Sequence, residues 1–172
     1  SAILHATEYG TMTGMREGEI RALKRGDIHT DYILVRHSYD VTIGVKGTKK
    51  GKARHVPIPP ELRSQLLFYA PPSGFILSLD GGQTPVNADY LLDNLYKRMG
   101  ALKIDYKRRR LVFHSWRHFF NTRLIASGVQ GEITRAIVGH EKEDMTELYL
   151  HLRRSDMETV AKVQDELVAV VG

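Results

Sequence analysis

Cysteine is absent from the 172 residues, so neither a disulfide framework nor a thiolate metal site can hold this chain together. Its absence fits a reducing compartment. No apolar run approaches the ~18 residues that a membrane-spanning helix needs. The opening SAILHATEYG lacks the basic and apolar regions of a signal peptide. Internal repeats and low-complexity stretches are also missing. The stretch Gly47 to Ala53 superficially has the look of a nucleotide-binding loop. It is one residue short between its glycines, and it ends in Ala where a magnesium-binding Ser or Thr is required, which excludes that reading.

What is present is an ordinary globular balance, 42% hydrophobic and 26% charged, in a chain long enough to bury one core. Lys and Arg exceed Asp and Glu by 25 to 20, a formal charge of +5 that is compatible with a polyanion but does not identify one. The distribution says more. Lys46, Lys49, Lys50, Lys52 and Arg54 crowd one segment, and Lys97, Arg98, Lys103, Lys107, Arg108, Arg109 and Arg110 another. One such run alone is best read as a solvated face. Two runs flanking other phosphate-suited residues are better read as a surface that tracks phosphates.

Periodicity predicts a mainly α fold with one small antiparallel sheet, an α+β class. Helices are expected over Thr13–Arg25, Pro60–Tyr69, Asn87 (as cap) to Met99 with Gly100 ending it, Ser115–Ser127, Glu132–Val138 and Asp156–Val171. The last carries Val160, Val163, Leu167 and Val171 on one stripe. Thr30–Tyr39 and Arg54–Ile58 read as strands joined across the Gly- and Lys-rich segment 44–52.

Two constellations carry chemistry. His114-Ser115-Trp116-Arg117 places an imidazole and a guanidinium three apart, on one face at the start of a helix whose N-terminus favours anions. An isolated pair of this kind is usually a cap and a surface ion pair. His118 invites a metal reading with His114, but no Glu follows the first His and Arg117 would repel a cation between them. The second constellation is Val138-Gly139-His140, with Tyr149 nine residues after the histidine. Each half alone reads as ordinary core.

Their order changes the odds. Thr13-Gly14-Met15-Arg16-Glu17-Gly18-Glu19 comes first, then Thr48-Lys49-Lys50-Gly51-Lys52-Ala53-Arg54-His55-Val56-Pro57-Ile58. His114-x-x-Arg117-His118, Val138-Gly139-His140 and Tyr149 complete the series. Across nearly its whole length the chain resembles the catalytic domain of the tyrosine recombinase (phage integrase) family. The resemblance implies Arg16 and Arg117 as phosphate-gripping arginines, Lys49 as the hairpin lysine, His114 and His140 as the paired histidines and Tyr149 as nucleophile. Lys49 is placed by counting back from Val56-Pro57-Ile58; a one-residue difference selects Lys50, with Lys46 a distant third. Lys46, Lys50, Lys52, Arg54, Lys107, Arg108 and Arg109 are expected to meet DNA. Trp116 and Phe119-Phe120 stand where the family has aliphatic or small residues; they are read as core, with Trp116 orienting Arg117.

Forked guanidiniums can stabilise a phosphoryl transition state without metal, and a phosphotyrosine stores the bond energy, so no cofactor and no ATP are expected. Expected partners are double-stranded DNA and further copies of the chain in a tetrameric synapse, with no membrane, in a prokaryotic cytoplasm beside the nucleoid or encoded by a phage. The first motif begins at Thr13, so residues 1–172 are expected to be one catalytic domain without the N-terminal DNA-clamping domains of the family. The rival readings are a type IB topoisomerase-like enzyme, a catalytically silent DNA-binding module and a metal-dependent nuclease. The last lacks a carboxylate cluster near the basic motifs.

Overall fold

The computed structural model describes residues 5–48, 53–139 and 154–171. Helices dominate: α1 (Ala6–Thr13), α2 (Glu17–Ala22), α3 (Pro60–Tyr69), α4 (Ala88–Ala101), α5 (Phe113–Ala126), α6 (Gly131–Val138) and α7 (Arg154–Val171). Four short strands lie between α2 and α3: β1 (Tyr32–Val35), β2 (His37–Asp40), β3 (Gly44–Gly47) and β4 (Arg54–Pro57). The expected class, mainly α with a small antiparallel sheet, holds. Among the described residues no helix is long and apolar enough to cross a membrane.

The first expected helix, Thr13–Arg25, shrinks to α2 at Glu17–Ala22, and α1 precedes it with no counterpart among the expected helices. Gly14, at φ +62°, ends α1 in the left-handed region, and its amide donates to the Gly10 carbonyl. A side chain there would stand 2.6 Å from Phe120 Cδ1 and 3.0 Å from Val138, so glycine is required sterically as well as conformationally. Arg16 then sits in extended backbone as the cap of α2, rather than inside a helix. The break aims it inward.

The sheet also departs from expectation. The outgoing strand is interrupted at Arg36, whose Nε and Nη2 both lie 2.8 Å from Asp27 Oδ1. β1 pairs with β4 and β2 with β3, both antiparallel, in the register Val35↔Arg54 and His37↔Gly47. The hairpin turn therefore falls at 41–43. The lysine segment is not that turn: the returning strand leaves the ladder at Thr48, whose amide donates to the Arg36 carbonyl, and rejoins it at Arg54.

The other helices match their local signals closely. Pro60 starts α3, and the Asn87 side chain accepts from the Asp89 amide at 2.7 Å to cap α4. Gly100 does not stop α4; the turn beyond it ends at Lys103, at φ +55°. α5 begins two residues early, with the Ser115 hydroxyl accepting from the Val112 amide. Its inner face buries Phe120 and Leu124 completely, among α1, α6 and α7. Phe119 is the exception to the expected aromatic core, at 43% exposed. On α7, Val160, Val163 and Leu167 are buried as the stripe requires, and the Val171 side chain lies outside the described residues. Gln164, fully buried, donates from Nε2 to the carbonyls of Met12 (3.0 Å) and Pro57 (2.6 Å), pinning α7 to α1 and β4.

Candidate active site

The site grows around one carboxylate. Glu19, on the first turn of α2 and 3% exposed, receives four N–H groups: the Arg16 amide (2.8 Å), Arg16 Nη1 (3.0 Å), Arg54 Nη1 (2.8 Å) and Arg54 Nη2 (2.6 Å). Burial works to raise its pKa, but the hydrogen bonds and charge of Arg54, then of Arg16, outweigh it and hold the carboxyl below its usual range. Glu19 is therefore an anion fixed between cations.

Arg16 and Arg117, a hundred residues apart in sequence, converge here as expected. Arg16 remains 40% exposed, with Nη2 donating to the Gly139 carbonyl at 3.2 Å. Arg117 is 4% exposed and donates from Nη1 to the Gly14 carbonyl at 2.9 Å. Its Nη2 is buried and finds no partner among the described residues. Burial first, then the charges of Arg16 and Arg54, pull this guanidinium down to about 10, opposed by Glu19. It stays charged at neutral pH. Three guanidiniums thus surround one carboxylate, and a buried donor is left unanswered, an arrangement suited to a second anion.

His114 lies one turn before Arg117 on α5, exposed, with its ring edge-on to His118 at 4.8 Å between centroids. It lines a hollow with Glu17, Asp89, Leu92 and Val112. Trp116 points elsewhere, into a groove with Leu95, Met99 and Leu167, and its indole N–H has no partner. α6 ends at Gly139 in the left-handed region, φ +77°, immediately before His140. Lys49, His140 and Tyr149, with Lys50 and Lys52, lie outside the described residues.

Of the residues expected to meet DNA, one is corrected. Arg54 is 4% exposed and spends all three of its guanidinium nitrogens internally: two on Glu19, and Nε on the Ile137 carbonyl at 2.9 Å. The charge run hid a buried ion pair. Lys46 lies exposed on β3, 2.7 Å from Asp40 Oδ2. Lys107, Arg108 and Arg109 are exposed on the loop after α4, with Arg108 Nε 3.4 Å from Asp105. Glu19 has no role among the site residues that the sequence implies. Its signal was an acid three residues after Arg16, where a helix begins.

A model of the phage integrase family matches residues 4–156. The chain belongs to that family. Its relatives include the tyrosine recombinase XerA of Thermococcus kodakarensis, 28% identical over 156 residues that cover 83% of this chain and 50% of that protein. Among solved structures, the integrase from mycobacterium phage Brujita superposes with a TM-score of 0.66 at 17% identity, covering 100% of this chain and 57% of that one. The Tn1549 transposon integrase, solved with circular intermediate DNA, gives 0.63 at 20% identity, covering 91% and 59%. These likenesses establish the shared fold. The chain spans about half the length of the curated relatives it matches.

Proposed function

We propose that this chain is the catalytic part of a site-specific DNA recombinase. The Tyr149 hydroxyl attacks a backbone phosphate of duplex DNA, forming a 3′-phosphotyrosyl bond as the bond to the 5′-oxygen breaks. The leaving oxygen takes its proton from Lys49, and the tyrosine proton passes toward His140. A 5′-hydroxyl of a second strand then attacks the phosphotyrosine and releases Tyr149, with the bond energy conserved. Neither ATP nor a metal enters this sequence of steps. Other copies of the protein, assembled on DNA, supply the sites for the remaining strands.

The observation that carries this reading is Arg117 Nη2, a buried donor without a partner among the described residues, next to Arg16 and at the end of a helix pair closed by Gly14 and Gly139. A phosphoryl group in its transition state spreads charge over equatorial oxygens, and preorganised guanidiniums meet that charge without reorganising. His114, one helical turn before Arg117, is assigned to the same phosphate, and the dipole of the α5 N-terminus would add to the field there.

The test is covalent capture. Nicked suicide duplexes of randomised sequence, incubated with the protein in EDTA, should yield a protein–DNA adduct that survives denaturation. Tyr149→Phe should abolish the adduct and leave non-covalent binding intact. An adduct that persists in that variant and maps to another tyrosine sinks the assignment. Strand exchange between two captured duplexes separates a recombinase from an enzyme that merely reseals its own strand.

A further inference from the structure

We infer that Arg54 is a positioning residue for strand cleavage: by occupying both oxygens of Glu19, it keeps the remaining donors of Arg16 and Arg117 free for the scissile phosphate. This rests on the reading of the site given above. A carboxylate offers about four lone-pair sites. Glu19 fills them with four N–H groups, and Arg54 supplies two of the four as a parallel fork. The pair is sealed from water, with side chains 5% and 3% exposed.

Without Arg54, a buried carboxylate would open two acceptor sites beside two other guanidiniums. Arg16 Nη1 is already 3.0 Å from Oε1, and Arg117 carries a buried Nη2 without a partner. Both would turn toward Glu19, because an unpaired buried charge is far costlier than a shifted side chain. DNA phosphate would then compete with an internal carboxylate for the same donors. The third nitrogen of Arg54 holds the Ile137 carbonyl, and its guanidinium lies 3.0 Å from where a Gly139 Cβ would stand. Arg54 therefore also shapes the corner at the end of α6. Lysine can supply the charge but neither the fork nor the third bond.

The groups facing Glu19 are Arg16 at the head of its own helix, Arg54 from β4 and Arg117 from α5. β2, packed on the same helix, contributes His37, Tyr39 and Asp40; the Arg21 guanidinium lies over the Tyr39 ring, and Asp40 pairs with Lys46. α1 adds Glu8, paired with Arg98, and the buried Tyr9, while α6 adds Glu132 and Arg135.

The experiment measures adduct formation on a nicked duplex captured by the wild-type protein, from pH 6 to 9, with binding followed separately by anisotropy. Arg54→Met should slow the covalent step about 100-fold at pH 8, while the Kd for DNA changes by less than about 5-fold. Combining it with Glu19→Gln should recover about 10-fold. Arg54→Lys should lie between. A purely structural role would lower thermal stability, with no recovery of the covalent step in the double variant; that result overturns the inference. So does wild-type cleavage by Arg54→Lys or Arg54→Met. If Arg54→Met does not fold, Arg54→Lys and the double variant, in which no carboxylate is left without its fork, decide the matter by the same readouts. No adduct from the wild type removes the reading of the site itself, and this inference with it.

Discussion

Arg54 and Arg117 are each 4% exposed, while the side chain of Arg108, in the loop after α4, is 81% exposed beside Asp105. All three carry one positive charge, and composition cannot tell them apart. The buried pair is held by backbone carbonyls and one carboxylate, so a phosphate arriving there meets an Arg117 already in place. The loop cations are exposed, and the ion pair of Arg108 is with Asp105, itself 55% exposed. Their attraction is long in range, weak per contact and screened by salt. One region is suited to recognising the geometry of a single phosphate, the other to gathering many phosphates of any sequence. Chemistry and affinity are therefore separable, and substitutions can break them apart.

The largest effect is expected at Arg117. Arg117→Met should reduce adduct formation by about 10²–10³-fold, the usual loss for removing a preorganised oxyanion donor. It should not destabilise the fold. Arg117 has no carboxylate of its own, its Nη2 is unsatisfied, and burial with two neighbouring guanidiniums disfavours its charge. An apolar side chain of similar length removes that cost. Thermal unfolding should thus occur at the same temperature or a few degrees higher. A clear fall would mean that Arg117 is a structural support. Arg108→Met, in contrast, should leave both readouts unchanged.

A second substitution attacks the frame of the buried region. Gly14→Ala places a Cβ 2.6 Å from Phe120 and asks an L-residue to adopt φ +62°. Strain and overpacking together should cost about 2–4 kcal/mol, read as a lower denaturant midpoint at constant slope. Gly26, which has nothing within 4 Å of its Cβ position, is the control. Its change to Ala should stay within about 0.5 kcal/mol of wild type.

That contrast also marks what could be read from sequence. α3, the Asn87 cap of α4 and the glycine end of α6 depend on neighbours within a turn, and local spacing announces them. The turn at Gly14 depends on Phe120 and Val138, which no local window contains, so the expected helix starts at Thr13 and runs through it. Arg54 was misjudged for the same reason: its partner Glu19 lies 35 residues earlier, and a run of lysines looks solvated whether or not one member turns inward. Gly44–Gly47 of the segment read as the turn instead form β3, a pairing that depends on β2 across the hairpin. Arg16 and Arg117 were found through the order of their motifs, and packing then brought them together.

The smallest effects belong to the exposed cations, and they sharpen the comparison most. Changing Lys107, Arg108 and Arg109 together to Gln removes three charges that have no buried partner. If each meets one phosphate, the slope of log K against log salt should shrink by about 2–3, since roughly 0.9 counterion is released per contact. Affinity should fall at low salt and converge with wild type as salt rises. At saturating DNA the rate of adduct formation should stay within about 3-fold, because no donor to the scissile phosphate has been touched. Equilibrium binding from about 50 to 200 mM salt, paired with single-turnover cleavage at saturation, separates the two quantities. A large loss of rate at saturation would place the loop in the chemistry and dissolve the distinction. An unchanged salt slope would remove it from the DNA interface and leave Lys46, exposed beside Asp40 on β3, as the cation to examine next.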